Sequence, residues 1–153
     1  MTAIEFTNES IKPLAMTLSP PSVSLGYVIL YVQDVPASLA FYEAAFGVAR
    51  RFFNDDHGKA YGELETGAAR LAFASFELVR EHLKEELATA SWEQSFFGGE
   101  IALVAADVAS LYSRALKAGA KAVSPPEAKP WGQTVAYVRD NSGHLVELCT
   151  PLP

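Results

Sequence analysis

Two stretches of this chain follow one plan, and few folds accommodate that. Tyr27-Val-Ile-Leu-Tyr-Val-Gln-Asp34-Val35, followed by Ser38-Leu-Ala-Phe-Tyr-Glu-Ala-Ala-Phe-Gly47, returns as Glu100-Ile-Ala-Leu-Val-Ala-Ala-Asp107-Val108, followed by Leu111-Tyr-Ser-Arg-Ala-Leu-Lys-Ala-Gly119. Each copy reads as an apolar strand, an Asp-Val boundary, an amphipathic helix and a glycine stop. A second match sets Tyr61 to Ala74 against Tyr137 to Cys149 with one residue of slack, placing Gly67 beside Gly143 and Ala72 beside Glu147. The duplication predicts a pseudo-symmetric molecule in which Tyr27 corresponds to Glu100 and Asp34 to Asp107.

Local signals fill in the repeat. Strand one alternates Tyr27, Ile29 and Tyr31 with Val28, Leu30 and Val32, a pattern suited to a sheet buried on both sides. Asp34 is placed to cap the next helix, Pro36 is tolerated in its first turn, and Gly47 supplies its stop. Arg50 to Asn54, Ala60 to Glu65 and Arg70 to Phe76 then read as three short strands separated by turns. Glu77 to Leu87 reads as a charged helix, Thr89 to Gly99 as a looser linker, and Val108 to Lys117 as the second amphipathic helix. Lys121 to Val123 suggests a brief strand, Ser124 to Pro130 a proline-rich loop, and Thr134 to Cys149 a hairpin about Asp140-Asn-Ser-Gly143. The fold class expected is therefore α+β, with two βαβββ modules. Residues 1–24 form a leader arm, 25–77 the first module, 78–99 a linker helix and loop, and 100–150 the second module.

Bulk properties narrow the partners. With 153 residues, half of them hydrophobic, the chain can bury a substantial core. A net charge of −6 offers no basic stripe for a phosphate backbone, so nucleic acid is not an expected partner. No run approaches the roughly 20 apolar residues of a membrane span, and the N-terminus lacks a basic segment before an apolar core. The expected location is cytoplasmic. A single cysteine, Cys149, excludes an internal disulfide framework and reads as a small strand hydrophobe.

Side-chain alternation sorts the strand residues into two faces. One carries Val28, Leu30, Val32, Leu71, Phe73, Ile101, Leu103, Val146 and Leu148 and should meet the helices. The other carries Tyr27, Ile29, Tyr31, Arg70, Ala72, Ala74, Glu100, Ala102, Val104, Leu145, Glu147 and Cys149. Small residues beside carboxylates signal a pocket, because the carboxylates need water, a cation or a donor to offset desolvation.

The paired modules, the run Val32-Gln-Asp34-Val35 with Ser38-Leu-Ala-Phe-Tyr42, and the closing Trp131-Gly-Gln-Thr-Val-Ala-Tyr-Val-Arg-Asp140-Asn-Ser-Gly-His-Leu-Val-Glu147-Leu resemble the vicinal oxygen chelate superfamily. This group of glyoxalases, bleomycin-resistance proteins and extradiol dioxygenases is matched from about Leu25 to Thr150. The resemblance implies a curved mixed sheet around a cavity, a small organic ligand and a homodimer. It also implies metal ligands at positions that fall here on Tyr27, Ala72, Glu100 and Glu147. Only Glu147 has the usual residue type; Glu100 stands where His is common, Tyr27 replaces His, and Ala72 has no donor. Any metal would rest on Glu100 and Glu147, and magnesium or manganese would suit them better than zinc or nickel. No cofactor is expected.

Several readings of this face stay open. Glu100 and Glu147 could repel and share a proton, bind an amine, act as a general base with Glu147 the best candidate, or pair with Arg70 in a structural ion pair. Substrate-binding candidates are Tyr27, Arg70, Glu100, Trp131 and Glu147, with Trp131 on the loop entering the last hairpin. His57 reads as a solvated turn residue, His82 as helix surface, and His144 as facing away from Glu147. Trp92, Phe96 and Phe97 are candidates to cover the sheet or a partner. The function expected is metal-independent binding or sequestration of an antibiotic or metabolite. The alternative is a metal-dependent lyase or isomerase resembling lactoylglutathione lyase; a dioxygenase is disfavoured for want of its two-histidine, one-carboxylate triad.

Overall fold

The computed structural model describes residues 23–94 and 98–153; the arm through residue 22 and the Phe96-Phe97 pair lie outside them. Strand β1 (Tyr27–Val32) leads to helix α1 (Val35–Phe46), followed by β2 (Arg50–Asp56), β3 (Lys59–Leu64), β4 (Arg70–Ser75) and α2 (Phe76–Leu83). The second half repeats the order with β5 (Ile101–Val104), α3 (Val108–Lys117), β6 (Lys121–Ala128), β7 (Thr134–Arg139) and β8 (Leu145–Cys149). Two separate four-stranded sheets result, ordered β1-β4-β3-β2 and β5-β8-β7-β6. The orders coincide under the repeat, and β1 runs parallel to β4 as β5 does to β8.

Both main helices start as the sequence indicates. Asp34 accepts a hydrogen bond from the Ala37 N–H at 2.8 Å, and Asp107 accepts one from the Ser110 N–H at 2.9 Å. Helix α1 buries Val35, Ser38, Leu39, Phe41, Tyr42 and Ala45, more than one face can hold, because it lies between its own sheet and α3. Phe41, Tyr42, Phe46 and Phe73 meet edge-on or tilted at 5.0–5.7 Å, an arrangement favoured by the ring quadrupoles. Gly62 of β3 permits this approach, since a Cβ there would lie 2.6 Å from Leu39 Cδ1.

The halves share one core. Val32, Leu39, Tyr42 and Phe73 from the first half belong to the same buried cluster as Val108, Ala115, Val138, Val146 and Leu148 from the second. Arg114 of α3 extends the connection, donating to the carbonyls of Ala44 at 2.7 Å and Glu43 at 3.2 Å. Helix α1 has no basic residue in its own last turn, so its carbonyl end receives a cation from the other half.

Four local expectations need correction. The proline-rich 124–128 segment is strand, not loop: β6 continues through Pro125 and Pro126, with register shifts between Ala122 and Ser124 and between Ser124 and Glu127. An edge strand tolerates prolines because its outward side needs no N–H partner, and the irregularities absorb the rest. Helix α2 begins at Phe76, capped by Ser75, and ends at Leu83 once its buried positions Phe76 and Val79 are used. Strand β2 extends to Asp56. Finally, β1 is not buried on both sides, as Tyr27 and Ile29 remain 48% and 42% exposed.

Candidate functional site

The sheet faces divide as the alternation predicts. Phe73, Val146 and Leu148 are fully buried toward the helices, whereas Tyr27, Ile29, Ala102 and Val104 lie on open surface. Edge strands β1 and β5 border two cavities between the halves. The larger, about 700 Å³, is lined by Val28, Arg70, Leu71 and the Glu100–Ala105 segment, among others. The smaller, about 320 Å³, is lined by Val28 to Tyr31, the linker alanines Ala88 and Ala90, Glu100, His144 and Leu145. Glu100 borders both.

The first half carries a closed polar cluster. Arg70 donates from Nη1 to the Tyr27 hydroxyl at 3.2 Å, and its guanidinium stands 5.6 Å from the Tyr27 ring centre. Its Nε lies 3.8 Å from Glu63 Oε2, which Arg51 Nε approaches at 3.4 Å. Tyr61 donates to Glu63 Oε1 at 3.1 Å, while Arg51 also reaches Glu65 at 3.1 Å. Burial first, then Glu63, pushes the Tyr61 phenol up to about 12. The ion pair considered for Arg70 therefore exists, but with Glu63 as its partner.

The second half carries an acidic cluster. Strand register places Glu147 between Tyr137 and Ala102, and Tyr137 donates to Glu147 Oε2 at 2.7 Å. That bond, followed by burial, raises the Tyr137 phenol to about 12. The Glu100 carboxyl is held above its ordinary range by desolvation and then by the neighbouring Glu147 carboxylate. Burial, then Glu147, also raises the Cys149 thiol, consistent with an inert strand residue. Trp131 lies on the β6–β7 turn, half-exposed, with Nε1 donating to Gln133 Oε1 at 2.8 Å; it lines neither of the two cavities.

Register also revises the internal alignment. Glu63 opposes Ala72 and Tyr137 opposes Glu147, so Glu63, not Tyr61, is the counterpart of Tyr137. Sequence reading missed Glu63, Tyr61, Arg51 and Tyr137 as site residues. The period-2 run Tyr61, Glu63, Glu65 was the available signal.

Among the described residues no group of three or more His, Cys, Asp or Glu side chains could hold a metal ion. At the four carried-over positions the side chains present fit a metal poorly. Ala72 is buried and has no donor atom, the Tyr27 hydroxyl already accepts from Arg70, and only Glu100 and Glu147 remain. Two carboxylates supply only part of the oxygen shell that magnesium or calcium takes, and waters or a ligand would have to complete it.

Glu100 titration has a measurable consequence. Its folded-state pKa is raised, so the folded protein binds this proton more tightly than the unfolded chain. The favourable contribution is complete below the unfolded value, about 4.3, and is lost as pH rises through the folded value. Glu100→Gln, which removes the titration, should therefore melt at a higher temperature than the native protein at neutral pH. Thermal melts between pH 4 and 8 check this, with the difference disappearing at the acid end.

Comparison with known proteins agrees with this architecture. The profile of the Glyoxalase/Bleomycin resistance protein/Dioxygenase superfamily matches residues 24–148. A glyoxalase-related enzyme from Fulvimarina pelagi is similar in structure at 23% identity and a TM-score of 0.71, covering 84% of this chain and 88% of that one. A glyoxalase/bleomycin resistance protein/dioxygenase from Nocardioides aligns at 22% identity and TM-score 0.63, covering 90% and 87%. TioX from Micromonospora sp. ML1 aligns at 25% identity and TM-score 0.62, covering 84% and 98%. No curated protein matches the sequence. With a duplicated β-α-β-β-β order, matched sheet topologies and a family profile spanning nearly the whole described chain, the protein belongs to the Glyoxalase/Bleomycin resistance protein/Dioxygenase superfamily.

Proposed function

We propose that this protein binds a small organic molecule in the cleft between its two halves and does so without a resident metal ion, as a sequestering protein for an antibiotic or metabolite. The observation that carries this reading is the donor set. The first half contributes a buried alanine and an engaged phenol where metalloenzyme relatives use ligands, while the cavity walls are mostly aliphatic. Apolar walls with a few convergent polar groups are the usual build of a small-molecule site. The proposed assembly is a homodimer, in which a second copy covers exposed Tyr27, Ile29 and Val104, the last 63% accessible.

Native mass spectrometry of protein purified without chelator tests the parts together. The expected spectrum is that of a metal-free dimer that takes up the neutral apolar dye Nile red equally well with and without EDTA. Stoichiometric magnesium or manganese, or dye binding abolished by EDTA, would overturn the metal-free reading in favour of a lyase or isomerase. A monomer at micromolar concentration would overturn the dimer.

A further inference from the structure

A histidine outside both polar clusters stands in the wall of the smaller cavity. The Asp140-Asn-Ser-Gly143 turn folds back tightly: the Asp140 N–H donates to the His144 carbonyl at 3.0 Å, and Asp140 Oδ1 accepts from the His144 N–H at 2.9 Å. This sets the imidazole beside the carboxylate, with Nδ1 3.2 Å from Asp140 Oδ2. The imidazole side chain is only 11% exposed, and the Asp140 side chain is fully buried.

The carboxylate orients the ring. Oδ2 already accepts from the Tyr42 hydroxyl, whose proton is held in place by burial and then by the Asp140 charge. Since Oδ2 acts as an acceptor, the imidazole hydrogen belongs on Nδ1, and in the neutral ring Nε2 carries a lone pair. Among the described residues, Nε2 has no hydrogen-bond partner. It is not sealed off either: the one buried side-chain polar atom without a partner is Asn141 Oδ1. Nε2 therefore opens onto accessible space. His144 lines the cavity of about 320 Å³ and not the larger one.

The rest of that cavity is apolar. Val28, Leu30, Ala88, Ala90, Ile101 and Leu145 supply hydrocarbon, and Tyr31 and Glu100 are the other side chains with polar atoms. Smaller cavities, of about 150 Å³, already admit benzene. Glu100 at the same wall disfavours a permanent anion.

We infer that the smaller cavity takes an apolar molecule carrying one weakly acidic hydroxyl, of phenol type, which donates to His144 Nε2 while the hydrocarbon body fills the space. This rests on the cleft being a small-molecule site and names the ligand class and its anchor. One donor meets one oriented acceptor, and the remaining contacts are carbon on carbon. Asp140 is the positioning residue, because it decides which ring nitrogen is left for the ligand.

Three probes with one shared body test the inference: 4-ethylphenol, 4-ethylanisole and 4-ethylbenzoate, titrated calorimetrically at pH 7.5. The phenol should bind about tenfold more tightly than the ether, the scale of one buried hydrogen bond, with the carboxylate weakest. His144→Leu should bring the phenol down to the level of the ether and leave the ether unchanged. Ala90→Leu, which fills the cavity, should weaken both. Nitrogen NMR of the native protein gives a readout independent of how well either variant folds: the phenol should move the His144 Nε2 resonance far more than Nδ1. Equal binding of phenol and ether, a preference for the carboxylate, or an unmoved Nε2 resonance would overturn the histidine anchor while leaving the cleft reading intact. The same holds if all three probes fail while Nile red binds. Failure of the probes and of Nile red together would overturn both.

Discussion

Replacing Asp140 with alanine should destabilise the protein by about 3–5 kcal/mol, the cost typical of removing one member of a buried charged network. Asp140 is fully buried at the start of the β7–β8 turn. Its Oδ1 accepts from the backbone N–H groups of Ser142 and His144, both at 2.9 Å, and its Oδ2 accepts from the Tyr42 hydroxyl at 3.0 Å. His144 Nδ1 lies 3.2 Å from Oδ2. Alanine leaves these donors without an acceptor in a region that excludes water, and each buried unpaired donor costs about 1–3 kcal/mol. Urea denaturation measures the effect. Tyr42→Phe removes one bond and keeps the turn, so its loss should be smaller, about 1–3 kcal/mol. Burial first, then the Asp140 charge, raises the Tyr42 phenol well above its ordinary value, so the hydroxyl remains a donor through the alkaline range where a free tyrosine ionises.

The second large effect is expected at Gly143. Its φ is +96°, and a Cβ there would lie 2.6 Å from the Ser91 carbonyl carbon and 2.8 Å from its oxygen. Backbone cannot give way as a flexible side-chain end can. The same place holds the linker: Trp92 Nε1 donates to the Asp140 carbonyl at 2.6 Å, and Arg139 donates to the carbonyls of Ser91 and Gln94. Lys121 closes the arrangement, 4.0 Å from the Trp92 ring centre. Gly143→Ala should therefore cost about 2–4 kcal/mol, combining left-handed backbone strain with overpacking. Its particular signature is local. Hydrogen exchange at Ser91 to Gln94 should accelerate and Trp92 fluorescence shift to longer wavelength, while the amides of β4 keep their protection.

These two residues also show how far the sequence could be read. The repeat and its caps were legible because each depends on neighbours: Asp34 and Asp107 bond three residues ahead, and strand faces follow from alternation. Asp140 was legible only as a turn residue. Its partner Tyr42 is 98 positions away, and nothing in local spacing announces a contact at that range. The acidic pair was found because strand alternation put Glu100 and Glu147 on one face of the second module. Glu63 was missed because its role depends on Arg70 and Arg51, brought to it by pairing across β2, β3 and β4. Trp131 was chosen on loop position alone, and its indole instead meets Gln133, whose amide reaches the Thr150 carbonyl.

The arginine that caps α1 from α3 bears on the history of the chain as well as on its packing. A freestanding first half would lose Arg114 from its helix end, lose the Asp140 acceptor for Tyr42, and lose the packing of α3 against α1. An ancestral single module capable of living alone, or as a symmetric pair, would have needed substitutes for each. The present halves are specialised toward one another: one supplies the carbonyls and the phenol, the other the cation and the carboxylate. Exchanging either half for a second copy of its twin would strand all of these groups, so the duplication can no longer be undone one step at a time.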